Sequence, residues 1–109
     1  MDIIKSSTEI SNLFNNGQRF NTPYFTLIVL SDGKQHGRGG RAAFVAGKKN
    51  GNAVWRNRAK RRLRSVCRAT SGPYSGFDVV FLAKRSIADV SFDELTRACE
   101  KALRKAGIR

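Results

Sequence analysis

Seven of the thirteen residues from Arg56 to Arg68 are Lys or Arg, and none of the thirteen is acidic. From Gly33 to Phe77 there are twelve basic residues and no Asp or Glu. A guanidinium stays protonated at any ordinary pH, so such a cluster is unsuited to proton transfer. What it can do is neutralise phosphate, arginine with two parallel hydrogen bonds and lysine as a point charge. On a helix, Arg56, Lys60, Arg64 and Arg68 recur every fourth residue, and each like-charge pair costs roughly 0.2–0.5 kcal/mol. Arg56 and Arg58 also fall in the first turns, where the helix dipole disfavours cations. On the helical wheel Trp55, Ala59, Leu63 and Val66 share an arc of about 80°, and Lys60, Arg64, Asn57, Arg68 and Arg61 share an outward arc of about 100°. The first arc belongs on a sheet. The second works against the helix's own stability and predicts a polyanionic partner.

Other chemistries find little support. GKKNGNAV lacks the Lys-Ser/Thr pair of a P-loop, so nucleotide hydrolysis is not expected. Cys67 and Cys99 stand apart, and with one His in the chain a zinc site of usual spacing is excluded. Both cysteines fall on apolar helix stripes and read as buried thiols in a reducing cytosol, which makes a cytoplasmic location the expectation. His36 has no partner in sequence. The acids are scattered or gathered near the C-terminus as Asp89, Asp93, Glu94 and Glu100, against the grouped ligands that a protein-only nuclease needs. A DNA-gripping zipper would continue the basic helix into leucine heptads, but TSGPYSG ends it, so no DNA partner is expected. GRGGR, which runs from the polar loop Ser31 to Gly40 into Arg41, reads as part of a glycine-rich hairpin loop rather than an RNA contact.

The remaining residues must build the scaffold that presents this helix. With 109 residues, 40% of them hydrophobic and seven of them Phe, the chain forms one domain, 1–109, around a modest core. The net charge of +13 points to nucleic acid first and to an anionic membrane second. The longest strongly apolar run, Tyr24 to Leu30, is seven residues, against roughly 20 for a spanning helix. MDIIKSSTEIS lacks the basic-then-apolar pattern of a secretory signal, so no membrane partner is expected.

Ser6 and Glu9 have capping-box spacing for a helix over Ser7 to Asn16, which Gly17 can stop. Phe20 to Leu30 reads as extended, with room for a short strand around Gln18 to Asn21. Arg41 to Lys48 gives another strand, and Asn52 caps the basic helix from about Ala53 to Ala69. Phe77 to Lys84 reads as a strand buried on both faces. Ser91 and Glu94 open a last helix whose stripe is Phe92, Leu95, Cys99, Ala102, Leu103 and Ala106. The expected fold is α+β, an α/β sandwich with a small mixed sheet of about four strands covered by helices, in the order αβββαβα.

KKxGNAVxRNRxKRxxR resembles the RNR motif of the bacterial ribonuclease P protein family. The matching positions are Lys48, Lys49, Gly51, Asn52, Ala53, Val54, Arg56, Asn57, Arg58, Lys60, Arg61 and Arg64. Element order agrees along nearly the whole chain. The resemblance implies a ribosomal protein S5 domain 2-like sandwich with a left-handed βαβ crossover through the RNR helix, where sequence physics alone gives the right-handed form. It implies the accessory subunit of an endoribonuclease whose catalytic RNA removes the 5′ leader of precursor tRNA. The RNA would hold the Mg²⁺ ions, and the protein would bind no cofactor and supply no catalytic residue.

Its partners would be that RNA and precursor tRNA. Lys48, Lys49, Arg56, Asn57, Arg58, Lys60, Arg61, Arg64 and Arg68 would bind the catalytic RNA. The family's leader cleft lies between the first helix and one sheet face. Strand alternation turns Phe25, Leu27, Val29 and Phe44 to the core and Tyr24, Thr26, Ile28 and Val45 to that cleft, with Ile10 and Phe14 from the helix. The sequence departs from the family in having Ile10 and Ile28 where aromatics are frequent, and in its short, weakly basic MDIIKSS start. The residues alone leave a structural ribosomal protein as the alternative.

Overall fold

The structure, a computed structural model, describes residues 1–31 and 40–109. The stretch read as a glycine-rich loop, with GRGGR and His36, lies largely outside the described residues. Among the described residues, three helices and four strands follow in the order α1 (Ser7–Asn16), β1 (Gln18–Asn21), β2 (Phe25–Ser31), β3 (Arg41–Val45), α2 (Ala53–Ala69), β4 (Phe77–Ala83) and α3 (Phe92–Lys105). Short 3₁₀ turns at Lys48–Asn50 and Arg85–Ala88 precede α2 and α3. The predicted αβββαβα order is the observed one. No helix among the described residues is long and apolar enough to cross a membrane.

Local signals set the helix ends. Ser6, Asn52 and Ser91 each accept a backbone N–H with their side-chain oxygen, from Glu9, Trp55 and Glu94, which satisfies one orphan donor per helix. Gly17 ends α1 because of space rather than φ. A Cβ there would lie 2.6 Å from Ile28 Cγ2 and from the Leu13 carbonyl, so glycine lets α1 turn closely over β2.

The sheet runs β1-β2-β4-β3, antiparallel except for the parallel β3–β4 pair that α2 connects. Residues 2–4 extend the far edge, with the Ile4 N–H donating to the Ala42 carbonyl. One face carries Phe25, Leu27, Val29, Val79 and Phe81 against Leu63, Val66 and Cys67 of α2 and Leu95, Cys99 and Leu103 of α3. The other carries Ile28, Ala43 and Val80 beneath Leu13 of α1. Burial on both sides explains the continuous apolar run of β4. Arg41 ties the α1 side together, its guanidinium reaching Asp78 at 2.8 Å and Glu9 at 2.7 Å. Those carboxylates hold the Arg41 pKa above its already high ordinary value.

Candidate nucleic-acid interface

α2 buries Ala59, Leu63, Val66 and Cys67 and half-buries Trp55, so the apolar arc read from the wheel is the one on the sheet. Asn57, Arg58, Arg61 and Arg68 are exposed, and Arg56, Lys60 and Arg64 are half-buried. Lys48 and Lys49 are exposed on the 3₁₀ turn that leads into the helix. All nine predicted RNA-facing residues therefore belong to one continuous turn-and-helix segment. Gly51 packs against the Trp55 side chain so closely that a Cβ would lie 2.8 Å from it, which fixes the turn against the first helical residues.

Two arginines of α2 have structural partners. The Arg64 guanidinium sits 5.5 Å from the centre of the Phe44 ring, whose own centre is 5.5 Å from that of Phe81. This cation–π contact holds the Arg64 guanidinium against the aromatic pair. Arg62 turns away from the outward arc and donates to the Ala88 and Val90 carbonyls just before α3. Its charge is spent inside the fold.

The second predicted surface lies between α1 and the sheet. Ile10, Phe14 and Val45 are half-buried there, beside Leu30. Ile28 points to this face as expected, but it is fully buried beneath α1. It supports the surface and cannot touch a base. Thr26 is also buried, its hydroxyl donating to Asn21 Oδ1 at 2.7 Å.

Tyr24 needs a correction. It packs on the core of the opposite face, and its hydroxyl bonds the Glu94 carboxylate of α3. The strand begins one residue later, because the Thr22 hydroxyl oxygen accepts the N–H groups of Tyr24 and Phe25 and closes a turn around Pro23. Alternation counted back through a turn gives the wrong face.

Arg19 was not singled out from sequence and belongs to this surface. It pairs with Ile28 in register, donates to the Phe14 carbonyl at 3.2 Å, and holds its guanidinium 5.6 Å from the centre of the Phe14 ring. The period-2 pattern of β1 carries that signal once the β1–β2 hairpin is recognised.

Residues 2–107 match the Ribonuclease P family model. The ribonuclease P protein component of Caldanaerobacter subterraneus subsp. tengcongensis is 33% identical over 96% of this chain and 89% of its own length. That of Finegoldia magna is 32% identical over 94% and 88%. The chain belongs to the ribonuclease P protein family. It is thus an accessory subunit of a ribonucleoprotein endoribonuclease that works with an RNA subunit, which sets aside the structural ribosomal protein that the residues alone also allowed. The ribonuclease P protein fold is also that of solved structures from Staphylococcus aureus, with TM-score 0.81, 20% identity and coverage of 99% and 97%. The Thermotoga maritima protein superposes with TM-score 0.80, 22% identity and coverage of 96% and 97%.

In this ribonuclease P protein the basic helix and the α1 groove use different parts of the sheet. α2 packs on the Phe81 face, whereas α1 packs on the Val80 face. The two surfaces are therefore separate, one on each side of the sheet.

Proposed function

We propose that the outward face of α2 binds the catalytic RNA of ribonuclease P, while the groove between α1 and the sheet receives the single-stranded leader of precursor tRNA. The observation that carries this reading is the division of labour within α2. Arg62 is consumed by backbone carbonyls, whereas Asn57, Arg58, Arg61 and Arg68 stay exposed with no acidic residue in the helix. Neutralising phosphates lets two polyanions approach each other. Phe14, with Arg19 over its ring, offers a stacking platform with a basic edge, suited to unstacked bases. The Mg²⁺ that acts on the phosphodiester would then belong to the RNA.

Reconstitution with a cognate catalytic RNA tests this. At low Mg²⁺ the protein should raise precursor cleavage, and without RNA it should leave precursor intact. Specific 5′ maturation by RNA-free protein would place the chemistry in the chain and overturn the proposal.

The leader surface has its own test. Phe14→Leu keeps an apolar side chain beneath Arg19 and removes the ring. Holoenzyme carrying it should bind precursor about 1 kcal/mol more weakly and mature tRNA as before. With a precursor of short leader, Tyr24→Ala, on the opposite face, should leave the precursor-to-mature ratio unchanged. A ratio that responds to Tyr24 and ignores Phe14 would put the leader elsewhere.

A further inference from the structure

We propose that a second basic groove, between the β1–β2 turn and α3, holds the phosphate backbone of the leader after it leaves the α1 cleft. The inference rests on the leader reading above. A cavity of about 100 Å³ lies there, walled by Asn21, Thr22 and Pro23 of the turn and by Ala98, Lys101 and Lys105 of α3. Its charged groups are both lysines.

The pattern of α3 shows why these lysines need an explanation. On one flank Asp93 precedes Arg97 by four residues and Glu100 precedes Arg104 by four, the spacing that offsets charge along a helix. Lys101 and Lys105 carry the Asp93–Arg97 row on toward the groove, where like charges stack at the same spacing. Glu94, the acid on the groove side, is taken by the Tyr24 hydroxyl. The described residues provide no ion pair for either lysine. The helix dipole favours Lys105 in the last turn, but it does not account for Lys101 a turn earlier.

Continuity names the occupant. Asn21 Oδ1 accepts the hydroxyl of Thr26, which belongs to the cleft face, while Lys84 Nζ donates to the Thr22 carbonyl at 2.6 Å. The same turn thus bounds both the cleft and the groove, and a strand crossing it passes from Phe14 and Arg19 to the lysine pair. Ala98 keeps the wall low. Lysines suit this task, because point charges on flexible stems hold a backbone without fixing its sequence or register. The docking helix α2 is instead rich in arginine.

The test uses holoenzyme with Lys101→Ala plus Lys105→Ala, and precursors whose leaders grow one nucleotide at a time. Both sites are exposed on a helix where alanine is well tolerated. Wild-type affinity should rise with leader length in two stages, and the variant should lose the second. For the longest leader the salt slope should fall by about 0.7 for each phosphate no longer neutralised. Short-leader precursor and mature tRNA should bind as in wild type. Unchanged long-leader affinity and slope would overturn the proposal. Equal losses for mature tRNA and every precursor would also overturn it, moving the groove to the catalytic RNA. Wild-type affinity independent of leader length would instead fail the leader-cleft reading, and this inference with it.

Discussion

Raising the pH from below 9 toward 11 is expected to strip several kcal/mol from the stability of this protein. Cys67 and Cys99 are both fully buried, and Tyr74 is nearly so. Burial pushes the Cys67 thiol from 9.0 up to about 11, with the Tyr74 hydroxyl opposing the rise and the nearby Cys99 adding to it. Burial likewise raises Cys99 and Tyr74 above their ordinary values. The three groups form one cluster around Thr70, whose hydroxyl donates to the Val66 carbonyl and lies 2.8 Å from the Tyr74 hydroxyl and 3.7 Å from Cys99 Sγ.

A raised folded pKa means that the native state keeps protons the unfolded chain gives up. This stabilisation is complete below pH 9 and is lost progressively as pH climbs from there toward the folded value. At 1.36 kcal/mol per pKa unit, Cys67 alone contributes about 2–3 kcal/mol across that window. Domains of this size have about 5–15 kcal/mol in all. Deprotonating surface lysines relieves self-repulsion in a +13 chain and acts in the opposite direction. Urea unfolding of wild type and Cys67→Ala, below pH 9 and near pH 11, separates the two. The variant starts less stable because of the cavity it creates, but it should lose less as the pH rises. Parallel losses in both proteins would mean that the thiol does not carry the effect.

The same residues show how far a sequence can be read. Asn52, Ser6 and Ser91 announce helix starts because capping is a bond between residues three apart, and each cap is present. The wheel of α2 located its buried stripe for the same reason, since one helical period decides both faces. What failed was non-local or depended on a turn. β4 inserts between β2 and β3, a pairing that no local pattern announces. Thr22 and Pro23 start the strand late and send Tyr24 to α3. Ile28 alternates correctly, but alternation gives a direction and cannot show that α1 closes over it. Arg62 falls beside the apolar arc and outside the outward one, but the wheel cannot show that the carbonyls before α3 take its guanidinium.

That distinction gives the largest expected effect on RNA binding and a control within the same helix. Arg56→Ala with Arg64→Ala should weaken binding to the catalytic RNA by about tenfold per residue, the scale of one charge-assisted hydrogen bond. If each arginine meets one phosphate, the salt slope should fall by about 1.4–1.8 in total. Stability should barely change. Removing Arg56 or Arg64 relieves like-charge stacking on Lys60, which offsets the missing cation–π interaction of Arg64 with Phe44. Arg62→Ala removes one charge from the same helix but should have the opposite signature. It deletes the hydrogen bonds to the Ala88 and Val90 carbonyls and should cost the fold about 1.5–3 kcal/mol. Its RNA salt slope should match wild type once binding is measured well below the melting temperature. A mere reduction of net charge predicts a similar slope change per charge for all three arginines. A slope for Arg62→Ala that falls as far as that of either single outward variant would mean that α2 acts as a diffuse field and not through placed contacts.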